Sequence, residues 1–129
     1  MFRRVAIAIA AMVTAACAGS RFEPPPDPPG PSLIRLHNAS RYPMEQLRAR
    51  FFSEMVDYGR LEPGQMSPYQ SVERAYRYAY LEAIVNGERR SLHPIDFLGE
   101  RLLGRGRFTY RLSFDSESGR LAIETDRDP

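Results

Sequence analysis

The chain contains no lysine. Every one of its 18 Lys+Arg positions is Arg, so neither a Schiff-base lysine nor a lysine general base can operate in it. Tryptophan is absent as well. The single cysteine, Cys17, excludes an internal disulfide framework and the zinc sites built from several thiolates. Two histidines, His37 and His93, leave little material for acid, base or metal chemistry. No apolar run reaches the roughly 20 residues of a permanent membrane-spanning helix. An excess of one charge sign is also lacking. The formal net charge of +2 includes Arg3 and Arg4, and from Cys17 onward 16 Arg face 16 Asp plus Glu. A neutral chain carries no electrostatic footprint for nucleic acid. At 129 residues it has room for one domain at most.

What is present begins with a targeting signature. A basic start at residues 1–4, an apolar run at 5–13 and the small residues Thr14-Ala15-Ala16 have the three-part form of an export signal over residues 1–16. Such a segment is removed from the mature protein.

Cys17 follows Thr14-Ala15-Ala16 directly, and here the sequence resembles a bacterial lipoprotein, whose lipobox sets small residues before the Cys. Thr14 stands where the common lipobox has Leu. The resemblance implies a diacylglyceryl group on the Cys17 sulfur, cleavage before Cys17 and usually a further acyl chain, such as palmitate, on the new amino terminus. In that family an Asp directly after the Cys favours the inner membrane. Ala18 occupies that place, which implies the periplasmic face of the outer membrane. Ala16-Cys17-Ala18 also fits ordinary signal cleavage, which would discard the Cys and release a soluble periplasmic protein.

Composition then changes abruptly. Residues 23–31 read Glu-Pro-Pro-Pro-Asp-Pro-Pro-Gly-Pro, which can be neither helix nor paired strand and favours extended polyproline II. Residues 17–31 are therefore expected to be a semi-rigid tether reaching up to roughly 45 Å at about 3.1 Å per residue. The rival reading is a proline-rich ligand for an aromatic groove on a partner.

Residues 32–128 carry the pattern of strands. Phe108, Tyr110, Leu112 and Phe114 alternate with polar residues, residues 115–119 supply turn chemistry, and Leu121, Ile123 and Thr125 resume the alternation, predicting a C-terminal hairpin. Residues 33–36 and 47–52 read as two further strands joined by the turn-rich residues 38–43. Asn86-Gly87, between residues 75–85 and 88–95, is a strong hairpin signal because both residues tolerate positive φ. Helix competes for residues 72–85, but three tyrosines at spacing two followed by Ile84-Val85 favour strand. Six or seven strands predict an all-β fold, a small antiparallel β-sandwich of immunoglobulin-like or transthyretin-like scale. The Cys and Trp marks of true immunoglobulin domains are missing.

Residues 58–69, 95–100 and 106–110 are similar to small, mostly uncharacterised proteobacterial lipoproteins. The resemblance implies an envelope β-sandwich domain and names no chemistry.

Tyr76, Tyr78 and Tyr80 would project from one face of a strand and span about 13 Å, with Ala79, Leu81, Ala83 and Val85 on the other. If the aliphatic face is core, the tyrosines form a platform for a glycan or a protein; otherwise they fill the sandwich. A second candidate is the loop at residues 57–69, whose polar tips are Arg60, Glu62 and Gln65, although a connector between sheets needs the same residue types. His37 and His93, with Asp96 or Glu100, are the only material for a metal site, and Asp57, Asp96 and Glu100 the only carboxylates considered for glycoside hydrolysis. Neither set has a spacing that fixes its geometry, and no nucleophile elbow occurs. The expectation is a non-enzymatic lipoprotein without cofactor, held to a membrane by its anchor and contacting an envelope protein or glycan. An accessory role in a larger envelope complex and a carboxylate hydrolase are the alternatives.

Overall fold

The structure is a computed structural model that describes residue 26, residues 28–94 and residues 100–129. The export-signal segment, Cys17 and Asp96 lie outside the described residues.

Among the described residues, eight strands build two four-stranded sheets. They are β1 (Ser32–Asn38), β2 (Met44–Phe51), β3 (Glu54–Leu61), β4 (Gln70–Val72), β5 (Tyr80–Val85), β6 (Glu88–Leu92), β7 (Gly106–Asp115) and β8 (Arg120–Arg127). One sheet has the order β4-β1-β7-β8 and the other β3-β2-β5-β6, so the fold is a small β-sandwich. Among the described residues no helix is long and apolar enough to cross a membrane.

Period-two alternation explains the packing. Ile34 and Leu36 of β1 with Phe108, Tyr110 and Leu112 of β7 turn inward from one sheet, and Leu47, Ala49, Phe51, Leu81, Ala83 and Val85 meet them from the other. Each large aliphatic side chain removed from water in this way contributes about 1.5–3 kcal/mol. The turns follow the residue types. Asn86 (φ 54°) and Gly87 (φ 78°) close β5 onto β6 in the doubly left-handed geometry of a type I′ turn. The β7–β8 hairpin is closed at residues 116–119, where the Gly119 amide donates to the Asp115 carbonyl at 2.7 Å.

Four features depart from the sequence reading. The sandwich is mostly but not wholly antiparallel, because β1 pairs parallel with β7 from Ser32↔Gly106 to Asn38↔Leu112. Parallel partners need a long crossover, and the intervening strands of both sheets provide it. Second, residues 33–36 and 47–51 are the expected strands, in β1 and β2 of different sheets joined by a corner, but Phe52 lies beyond the end of β2.

The third departure concerns residues 57–61, expected in a loop, which are the second half of β3. Tyr58 and Leu61 anchor that strand in the core. Gly59 sits at a register irregularity opposite Leu47, and bulges of this kind are common in edge strands.

Finally, residues 72–85 are not one strand. The chain leaves β4 at Val72, crosses between the sheets and starts β5 only at Tyr80. Buried Ala75 and Ala79 let the crossing pass close to the core. Its carbonyls find partners outside any ladder: the Leu103 amide donates to Ala75 at 2.8 Å, the Tyr110 hydroxyl to Tyr76 and the Thr125 hydroxyl to Arg77.

The described residues of the proline-rich stretch touch the domain. Arg101 Nη2 donates to the Pro26 carbonyl at 2.7 Å. Pro28 lies so close to Gly104 that an added Cβ there would stand 2.5 Å from the Pro28 Cβ, so glycine is required for this approach. Pro26 and residues 28–31 thus rest on the domain, which they enter where β1 begins.

Candidate functional site

Strand register sorts the side chains between the two ends of the sandwich. In one sheet Phe51, Glu54, Tyr80 and Leu92 share an end, and Met44, Leu61, Val85 and Glu88 share the other. In the second sheet Ser32, Val72 and Gly106 share an end. Cross-sheet contacts match the ends: Asn38 Nδ2 donates to the Leu61 carbonyl at 3.0 Å at one, and the Arg74 guanidinium lies 4.2 Å from the Phe52 ring centroid at the other. Residues 28–31, the last of the expected tether, enter at the second of these.

The most concentrated aromatic chemistry occupies this tether end. Alternation along β2 turns Phe51 into the core and leaves Phe52 for the β2–β3 turn, where it is 40% exposed at φ 57°. An aromatic residue in the left-handed region costs roughly 1 kcal/mol against Gly or Asn. Strain of this kind concentrates at binding surfaces and switches. The Tyr76 ring lies 5.2 Å from Phe52 at a tilt of 37°. Phe51, Ala75 and Ala79 floor a cleft of about 110 Å³ that Phe52, Tyr76, Tyr78 and Arg50 border. A pocket that encloses a metabolite measures about 300–1,000 Å³, so this notch accepts one ring, one side chain or part of a chain.

Beside the cleft, the outer face of β5 carries Tyr80 and Glu82. Arg50 lies 5.3 Å over the Tyr80 ring, and the His93 ring meets it edge-on at 4.8 Å. Tyr80 donates to Glu82 Oε2 at 2.7 Å, Arg48 pairs with Oε1, and Arg89 approaches at 3.9 Å. Covered by these groups, Glu82 is 8% exposed on a solvent-facing sheet surface. The Tyr80 hydrogen bond and the two arginines hold its carboxyl below the ordinary value of 4.5, against the opposing effect of burial.

A carboxylate depressed in the folded state contributes stability above its unfolded pKa, and that contribution is lost as pH falls through the folded value. Melting temperature followed from about pH 6 to pH 3 should therefore fall less steeply for Glu82→Gln than for the native chain. Parallel curves would remove this role.

The three sequence-predicted tyrosines share this region, but they do not form one stripe along a strand. Tyr76 and Tyr78 belong to the crossing between sheets and only Tyr80 to β5, and all three are half-buried. The small aliphatic residues facing them across the chain are core.

Arg60, Glu62 and Gln65 lie at the opposite end, about 20 Å away along β2 at 3.3 Å per residue. Their tips are engaged locally: Arg60 Nε donates to Glu62 at 2.6 Å and its Nη1 pairs with Glu45 of β2 at 3.2 Å, and Gln65 Oε1 accepts from the Glu62 amide at 2.8 Å.

His37 lies in β1 of one sheet, and His93 follows the end of β6 of the other. Among the described residues no group of three or more His, Cys, Asp or Glu could hold a metal. Asp57 in β3 accepts from the Gly59 amide at 2.9 Å, and Glu100 lies in the segment before β7. Asp96 lies outside the described residues.

Sequence reasoning missed Phe52, Arg50, Arg74 and Glu82. A signal for the first was present: in Phe51-Phe52-Ser53 a strand can bury only one of two successive rings. For Glu82 the one local sign was Tyr80 two residues earlier on the same strand, because its arginine partners arrive from the two neighbouring strands.

No protein-family model, curated protein or solved structure matches this chain.

Proposed function

We propose that the chain is a non-enzymatic lipoprotein of the cell envelope, anchored through a diacylglyceryl group on Cys17 and binding through the tether end of its β-sandwich. The observation that carries the binding role is Phe52: a large apolar ring held exposed, in an unfavourable backbone conformation, over an aromatic notch. The anchor rests on the small residues before Cys17 and on the proline-rich segment after it. The outer membrane, periplasmic face, is the address that Ala18 favours.

Detergent-phase partitioning of the mature protein from cells tests the anchor, and a photo-reactive residue at position 52 in the same cells tests the binding face. The native chain should enter the detergent phase and Cys17→Ala the aqueous phase. Adducts should form from position 52 and not from position 62 at the other end. Unchanged partitioning of Cys17→Ala would defeat the lipid assignment, and equal labelling at both positions the binding face.

A further inference from the structure

The geometry points to a partner for this end: the phospholipid headgroup region of the same bilayer that holds the anchor, contacted directly by Phe52, Tyr76 and Tyr78 with Arg50 and Arg74. The inference rests on the proposed anchor at Cys17. Because Pro26 and residues 28–31 rest on the domain, only residues 17–25 separate the sulfur from the fold. Nine residues reach at most about 30 Å. The end at which the chain enters is thereby the end kept nearest the anchor, with the opposite end about 20 Å further along β2.

The chemistry of that end fits an interface between hydrocarbon and water. Phe52 supplies an apolar ring, and the tyrosines supply amphipathic rings of the kind enriched at headgroup level. Arg74 and Arg50 lie over the rings of Phe52 and Tyr80, and among the described residues neither joins an ion pair. Their planar donor sets match a phosphate oxygen pair. Glu54 and Glu73 border the hollow beside Phe52, which disfavours a polyanion and suits separate zwitterionic and singly anionic headgroups. Weak contact suffices here, because a short tether sets an effective concentration in the millimolar range.

The absence of Trp makes the test direct, since Phe52→Trp introduces a single indole fluorophore. The chain from Cys17 onward, made without lipid, is coupled through its one thiol to maleimide-headgroup lipid in vesicles of phosphatidylethanolamine and phosphatidylglycerol. Coupling by maleimide makes the result independent of whether cells lipidate Cys17, so failure of the anchor and failure of the docking face are separable.

Emission from Phe52→Trp should move to the blue and be quenched about twofold by brominated acyl chains, while Gln65→Trp, at the opposite end, keeps its emission. Adding Arg50→Glu and Arg74→Glu to Phe52→Trp should abolish the quenching with an unchanged circular dichroism spectrum. Absent quenching at position 52, equal quenching at positions 52 and 65, or quenching that survives both charge reversals would overturn the inference.

Discussion

Replacing Asn38 with Ala is expected to destabilise the domain by about 3 kcal/mol. Asn38 is fully buried at the end of β1, where the chain turns from one sheet to the other. Its Nδ2 donates to the Tyr42 carbonyl at 2.7 Å and the Leu61 carbonyl at 3.0 Å. Its Oδ1 accepts from the Ser40 amide at 3.0 Å and the Ser40 hydroxyl at 2.7 Å. One amide therefore fastens the corner, the end of β3 and the end of β1 together. Truncation removes the side-chain partner of the Leu61 carbonyl and of the Ser40 amide, while the Tyr42 carbonyl keeps the Ser40 hydroxyl at 3.0 Å, and each buried group left unpaired costs about 1–3 kcal/mol, less whatever water recovers. For a domain of about 100 residues this corresponds to a fall of roughly 15 °C in melting temperature. Asn38→Asp should be worse, since a carboxylate would face the same carbonyl oxygens. Urea unfolding with an unchanged slope is the measurement. A loss below about 1 kcal/mol would show that the corner does not depend on this side chain.

Tyr110→Ala is expected to cost more, about 4 kcal/mol, and Tyr110→Phe about 1 kcal/mol. The difference separates the ring from the hydroxyl. The ring is fully buried in the centre of β7 and lies 5.9 Å from Phe51, so its removal opens a cavity between the sheets. The hydroxyl donates to the Tyr76 carbonyl in the crossing segment, and burial pushes its pKa up. Tyr110→Phe should keep the fold while hydrogen exchange in residues 74–79 accelerates. That result would establish that a core tyrosine positions the wall of the cleft. Equal losses for the two substitutions would refute it.

The legible parts of the fold were those where alternation and turn chemistry agree. Phe108 to Phe114 alternates without interruption, and Asn86-Gly87 admits one compact turn, so both hairpins were readable. β3 was hidden because Gly59 at the register irregularity breaks the alternation between Tyr58 and Leu61. The crossing at residues 73–79 was hidden for a different reason. Its carbonyls are satisfied by Leu103, Tyr110 and Thr125, all distant in sequence, and local propensity carries no trace of such partners. The tyrosines drew attention to the region of the aromatic cleft through their chemistry. That Tyr76 meets Phe52 follows from the way β2 and the crossing converge, and no spacing along the chain encodes it.

The position of β1 has a temporal consequence. It lies in the interior of its sheet, flanked by β4 and by the parallel β7. As the polypeptide grows from its amino terminus, the β2–β3 hairpin can close as soon as both strands exist, but β1 must wait for partners made much later. The final zipping of Leu33 to Asn38 against Arg107 to Leu112 can happen only when nearly all of the domain has been made. Long-range closure of that kind is slow, and it leaves one strand edge open to improper association while synthesis continues.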